Sequence, residues 1–264
     1  MRAVWYAALL VVAGYGMSAG AQSSPVSRMA ENERQARIDL KEHFSFLLQE
    51  RSPRTGGHLW LERVIEVDDG KVSRLLKVDG VPLSPEAAAA EQKRLTALAN
   101  DPAAYRAMNA SVKGDEKHLI SLLAALPSQF VMTPVGTVNG CVQYTFKPNA
   151  AYQPASMEEK VLHVMEGTVS IKEPEDRLCD LQGRIASPVS FGFGILGRVN
   201  EGGTVQLERR PVSPETWKSI RMVVHMDGRI LMMKSLTRDQ DAIRSEIKLV
   251  PQNLTLQQAV EMSR

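Results

Sequence analysis

From Phe44 onward, apolar residues recur mostly at every second position, in runs separated by turn residues. Phe44–Arg51, Gly57–Val67 and Lys71–Val78 read as three strands, with Asp69-Gly70 and Asp79-Gly80 as turns. Asx-Gly pairs suit the positive φ of two-residue hairpin loops, so this region reads as a meander. The alternation returns after Phe130 in Thr137–Lys147, around Asn139-Gly140, and in Val161–Lys172, Arg177–Ser187, Thr204–Arg210 and Thr216–Met226. Asp227-Gly228 leads into Arg229–Leu236, and Ile243–Val250 ends the series. About nine or ten sequential strands with short turns predict a strongly curved antiparallel sheet or partial barrel.

Two stretches follow a helical period instead. Ser27 to Glu42 spaces Met29, Ala36 and Leu40 as an amphipathic helix does. Leu83-Ser84-Pro85-Glu86 starts a second helical region, with Ser able to cap and Pro fixed at a helical φ. An Ala/Glu/Lys/Arg-rich stretch runs to Leu98. Asp115 caps a further helix whose stripe of Leu119, Leu122, Leu123 and Leu126 ends at Pro127. Residues 84–126 are thus a helical insertion between strands, and the leucine stripe needs cover, expected from the sheet. The expected fold is mainly β with helices (α+β). It is a curved antiparallel sheet or incomplete β-barrel, with the helical insertion packed on its concave side. Without a repeat or linker, residues 22–264 read as a single domain.

The chain has 264 residues, enough for one substantial core. Its 32 Lys+Arg and 30 Asp+Glu leave a formal charge of +2, with no dense basic block. That argues against nucleic acid as a partner, because such binding rests on neutralising phosphates. Residues 1–21 supply Arg2, an apolar stretch from Ala3 to Ala13, and Ala19-Gly20-Ala21. These are the three parts of a secretory signal peptide, cleaved after Ala21. The mature chain is expected in the periplasm, without a transmembrane span.

Such a compartment permits disulfides, and there are two cysteines, Cys141 and Cys179. Strand alternation puts Cys141 with Gln143 and Thr145, opposite the apolar face, and Cys179 with Leu181 and Ile185. The sulfurs would then point apart, so the cysteines are expected to be unpaired.

Chemical motifs are sparse. Gly192, Gly194 and Gly197 match G-x-G-x-x-G, yet another strand-like run follows where a dinucleotide site needs a helix. A glycine-rich hairpin or bulge is the better reading. His43, His58, His118, His163 and His225 show no metal-ligand spacing, and there is no nucleophile elbow. No catalytic residue, metal ligand or cofactor is assigned, and the chain is not expected to be an enzyme. Met132, Met165, Met222, Met226, Met232 and Met233 are candidate inward residues, adaptable to acyl chains as well as to ordinary core packing.

The runs YTFKPNAAYQP (144–154), KVLHVMEGTVSI (160–171) and PVSFGFGILGRVNEGGT (188–204) resemble a family of exported bacterial proteins of acidobacterial type, as do Pro214–Trp217 and the DGVPLS turn at 79–84. That family is similar in fold to the outer-membrane lipoprotein carrier and receptor proteins (LolA/LolB-like). The resemblance, over residues 30–250, implies an incomplete antiparallel barrel lidded by helices, with a hollow for acyl chains.

Three readings follow. The first is a periplasmic, non-catalytic carrier or binder of a lipid or of lipoprotein acyl chains. Its cavity wall or rim would include Leu119, Leu122, Leu123, Phe191, Phe193 and Arg198. The second is a cell-envelope structural or interaction protein with a filled core and a protein partner. The third is a hydrolase using His163 or His225 as base.

Overall fold

The computed structural model describes residues 24–39, 42–191, 197–230 and 238–264, without the side chains of 108, 110–119, 121, 122, 229, 230 and 238. The expected signal peptide, Phe193, and residues 231–236 of the Arg229–Leu236 run lie outside the described residues.

Strands make up 47% and helices 29%, so the chain is mainly β. Helix α1 (Pro25–Ile38) is followed by β1 (His43–Arg51), β2 (Trp60–Val67), β3 (Gly70–Val78) and the short β4 (Val81–Pro82). The insertion is α2 (Pro85–Asn100) and α3 (Pro102–Gln129). Then come β5 (Phe130–Val138), β6 (Cys141–Pro148), α4 (Met157–Leu162), β7 (Met165–Lys172), β8 (Arg177–Ile185), β9 (Val189–Phe191) and β10 (Gly197–Val199). The chain ends with β11 (Thr204–Pro211), β12 (Trp217–Met226), β13 (Gly228–Ile230), β14 (Arg238–Val250) and α5 (Leu256–Met262).

Eleven strands form one open antiparallel sheet in the order β4-β3-β2-β1-β14-β12-β11-β8-β7-β6-β5. Three further strands form a separate sheet in the order β13-β10-β9. The two edges of the large sheet, β4 and β5, are consecutive in the chain, and the insertion is what joins them. Laid flat, eleven strands would be about 48 Å wide. The 28 residues of α3 extend about 42 Å, long enough to account for most of that crossing.

Both faces of the sheet carry helices. Val26 and Met29 of α1 join Phe146, Met165, Val169 and Ile185 in the largest apolar cluster. On the next residues of β2 the two faces separate. Val64 pairs opposite Phe46 and packs with Phe44 and Leu48, whereas Ile65 pairs opposite Ser45 and packs beneath Leu95 and Ala99 of α2 and Ala259 and Val260 of α5. Arg74 anchors α5 through the Ser263 hydroxyl at 2.9 Å and the Val260 carbonyl at 3.2 Å. The insertion therefore does not lie wholly on one side. Tyr105, near the start of α3, belongs to the α2–α5 cluster, while Leu126 near its end packs beside the α1 cluster.

Several element boundaries differ from the sequence expectation, three of them for reasons the caps show. Asp115 is inside α3, which starts at the Asp101 cap, where the side chain accepts from the Ala104 N–H at 2.9 Å. Pro127 lies in the last turn of α3 rather than stopping it, and Ser128 and Gln129 complete the helix. Val161 and Leu162 are helical because Ser156 caps α4 at the Glu159 N–H. Helix α5 was signalled by Thr255 and Gln258, which form a reciprocal capping box.

The cysteines require a correction. Cys141 and Cys179 form a disulfide with an S–S distance of 2.06 Å. The β7–β8 ladder shifts register here: Ile171 pairs with Leu178, but Ser170 pairs with Asp180. Cys179 is the extra residue of that bulge, so two-residue alternation no longer dictates where its sulfur points.

Candidate functional site

Helix α1 starts at Ser24, whose hydroxyl accepts from the Ser27 N–H, and it is fixed by charge as well as by apolar contact. Arg28 donates to Asp176 at 2.6 and 3.1 Å, and the Asn32 amide reaches the Glu175 carbonyl at 3.2 Å. One turn later the buried Glu33 accepts from Arg177 at 3.0 Å, from the Leu178 N–H at 3.2 Å, and from Arg209. These bonds hold α1 to the β7–β8 hairpin and to β11. Beyond Glu33 the helix overhangs the sheet.

Beneath that overhang lies a cavity of about 660 Å³. Ala36 and Arg37 line it from α1 and Asp39 from the cap that follows, while Phe46, Trp217 and Met222 supply apolar surface from the strands. Arg37, Lys71, Arg177, Arg209, Lys218 and Arg244 bring positive charge, and Glu33, Asp39, Glu42, Glu66 and Glu215 bring negative charge. The volume falls in the ordinary range for small-molecule sites, which combine apolar walls with a few placed polar groups.

Strand register explains how these residues meet. Arg209 is paired opposite Ser219, and the Ser219 carbonyl accepts from Arg244 Nη1 at 2.7 Å. Arg209 Nη2 donates to the Trp217 carbonyl, also at 2.7 Å. Two guanidiniums thus approach the same stretch of β12 from its two neighbours. On the far side, Glu66 holds Lys218 Nζ at 2.8 Å and is paired opposite Lys71. The cations also cover aromatic faces: Arg244 lies 5.5 Å from the Phe46 ring, Lys218 4.8 Å from Phe44, and Arg177 5.9 Å from Trp217.

Enclosure makes these positive charges costly. Burial, followed by the nearby Arg244, pushes the Arg209 guanidinium down to about 10. Arg244 is lowered by burial, against opposition from Glu66 and Glu50, with Arg37 adding to the lowering. Lys71 is open to solvent yet bordered by protein, and that enclosure, then Arg244 and Arg54, lowers its ammonium. The Glu42 carboxyl moves the other way, below its usual range, because the Ser213 and Thr216 hydroxyls donate to it. Among the described residues, no group of three or more His, Cys, Asp or Glu converges as a metal site would require.

Of the residues expected at a cavity, Phe191, Arg198 and Leu123 do not line the hollow under α1. Phe191 is buried in the apolar cluster under α1, whereas Arg198 is exposed on β10. Leu123 is half-buried on α3; the side chains of Leu119 and Leu122, and all of Phe193, lie outside the described residues. The strands flanking the glycine motif pair antiparallel, Phe191 with Gly197, so the motif links strand to strand. His225 is exposed and meets Asp239 at 2.6 Å, while the His163 ring sits 5.7 Å from that of Tyr152. Sequence reasoning missed the cavity's cations, although Arg209 shares strand parity with Val205 and Leu207, and a cation on an apolar face was the available signal.

No helix among the described residues is long and apolar enough to cross a membrane. No protein-family model matches the chain, and neither the curated proteins nor the solved structures give a match.

Proposed function

We propose that the chain is a non-catalytic, periplasmic binding or carrier protein for a lipid or a lipidated ligand, with the hollow under α1 as its chamber. The observation that carries this reading is the cavity of about 660 Å³, where Phe46, Trp217 and Met222 lie beside charged groups. An amphiphile satisfies such a lining, placing methylenes on the apolar wall and its polar end among the charges. Each CH₂ removed from water contributes about 0.8 kcal/mol, so even part of one acyl chain gives useful affinity.

On this reading the open sheet is an incomplete barrel, and the insertion is the strap between its edges. The Cys141–Cys179 disulfide supports an oxidising, extracytoplasmic setting. The resemblance to the lipoprotein carriers points the same way. Native mass spectrometry of the mature protein, purified without detergent from a periplasmic extract, tests the reading. An added mass that organic extraction removes, matching an acyl species, is expected. A bare mass that incubation with short-chain lipids leaves unchanged would overturn it.

One feature favours the second reading, a cell-envelope interaction protein. The edge strand β5 has no charged residue in its nine positions, and Val131, Val135 and Val138 are exposed. A stoichiometric protein partner in the detergent-free preparation, in place of lipid and lost on Val131→Lys, would support that reading.

A further inference from the structure

We propose that the hollow receives a phosphate-type oxyanion, held by Lys71, Arg209 and Arg244. The inference rests on the carrier reading and adds the chemical class of the ligand's polar end.

The argument begins with how the charges in the cavity are matched. Glu33 is occupied by Arg177, Arg209 and the Leu178 N–H. Glu66 is occupied by Lys218, and Glu42 by two hydroxyls. Among the described residues, neither Lys71 nor Arg244 has a carboxylate at ion-pair distance. Arg209 has to share its one carboxylate with Arg177. Its Nε is buried without a hydrogen-bond partner, in a side chain only 9% exposed. Asp39, which accepts from the Gln35 amide, and Glu215 also line the cavity. Among the described residues, neither reaches Lys71, Arg209 or Arg244 as an ion pair, so what is left over in one place is cationic donors without a matching carboxylate.

Geometry makes the surplus usable. Arg209 and Arg244 approach over Ser219 from opposite sides of β12, and Lys71 lines the same cavity from β3. Like charges held close in a semi-enclosed space repel, and a buried donor without an acceptor is costly. An anion entering from solvent relieves the repulsion, and a small turn of the Arg209 side chain would bring its unpartnered Nε to it. Three cations on three strands suit an acceptor with oxygens in several directions, and the three terminal oxygens of a phosphate, with its larger charge, meet that better than one carboxylate does. A phospholipid headgroup and free phosphate share this chemistry, and the experiment separates them.

Calorimetric titration would use dioctanoyl phosphatidate, dioctanoylglycerol and inorganic phosphate as probes. The phosphatidate is expected to bind about tenfold or more tightly than the uncharged glyceride. In Lys71→Gln/Arg244→Gln that ratio is expected to collapse toward one. Lys71→Gln alone alters a solvent-exposed side chain, so it keeps the fold and must lower the ratio too; an unchanged ratio there overturns the assignment. Equal affinity of the wild type for the two lipids would overturn the oxyanion site and leave the carrier reading standing. Phosphate binding that matches the phosphatidate, without glyceride binding, would support the oxyanion site and overturn its lipid source. Binding of none of the three would overturn both.

Discussion

Glu33 of α1 and Arg209 of β11 form a buried ion pair between helix and sheet, with Arg177 of β8 on the other carboxylate oxygen at 3.0 Å. The pair lies where α1 passes from its apolar seat, at Val26 and Met29, to the overhang above the hollow. It thus sets the position of the roof relative to the floor. The same carboxylate keeps two enclosed guanidiniums compatible with each other.

Replacing Glu33 by Gln preserves the shape and leaves both guanidiniums without their counter-charge. Breaking a buried pair in this way costs about 3–5 kcal/mol. The urea midpoint is expected to fall accordingly, with amide exchange over α1 accelerating before exchange in the sheet. Glu33→Leu combined with Arg209→Met and Arg177→Met should recover part of the loss, since a well-packed apolar cluster leaves no buried guanidinium without its counter-charge. An unchanged midpoint in Glu33→Gln would remove the anchoring role.

The Cys141–Cys179 bridge closes a loop with a sequence separation of 38, and loop-closure entropy assigns it about 4 kcal/mol. Reduction should therefore lower the melting temperature by roughly 10 °C. Thermal unfolding with and without dithiothreitol measures the drop, and both thiols should react with iodoacetamide only after reduction. Ready alkylation without reductant would contradict the bridge.

That bridge also marks where sequence reasoning fails. The meander was legible because alternation and Asx-Gly turns are local signals, and Asp79, Gly80, Asn139 and Gly140 do adopt positive φ. Cys179 was not legible, because a bulge arises from how two strands pair and leaves no mark within either one. The hollow was hidden for a related reason. Lys71, Arg209, Lys218 and Arg244 come from four strands, and although Arg209 falls on the apolar parity of its strand, nothing within a single strand says that the four meet. Only the strand order brings them together, with β14 inserted between β1 and β12. Phe191 and Arg198, expected at a cavity for their place beside the glycine-rich run, lie on the small second sheet.

Acid should destabilise the β1–β2 end through Glu50. Burial tends to raise its pKa, but Arg54 at 2.7 Å and the Ser52 hydroxyl at 2.6 Å outweigh it and hold Glu50 below the usual 4.5. The folded value is lower than the unfolded one, so the stabilisation is complete above the unfolded pKa. It is lost as pH falls through the folded pKa. Urea midpoints measured from about pH 6 down to about pH 3 should therefore drop more steeply in the wild type than in Glu50→Gln. The variant should also be less stable at neutral pH, since Arg54 then loses one of its two carboxylates, Glu62 at 2.7 Å remaining. Parallel slopes in the two proteins would rule out Glu50 as the titrating group.

Gly167 should tolerate no side chain, and the reason is backbone contact rather than conformational freedom. It pairs with Gly183 on β8 and with Phe146 on β6. A Cβ at Gly167 would lie 1.9 Å from the Gln182 carbonyl oxygen, and that backbone group cannot swing aside. Gly167→Ala must therefore force β7 and β8 apart beneath the largest apolar cluster, at a cost of about 1–3 kcal/mol or more. Gly80 supplies the contrast. Its φ is +83° and nothing lies within 4 Å, so Gly80→Ala carries only the left-handed penalty of about 1–2 kcal/mol. The two variants should also differ at Phe146, whose ring packs edge-on against Phe130 with centroids 5.0 Å apart. Phenylalanine chemical shifts should move in Gly167→Ala and stay in place in Gly80→Ala, which separates a displaced ladder from a strained turn.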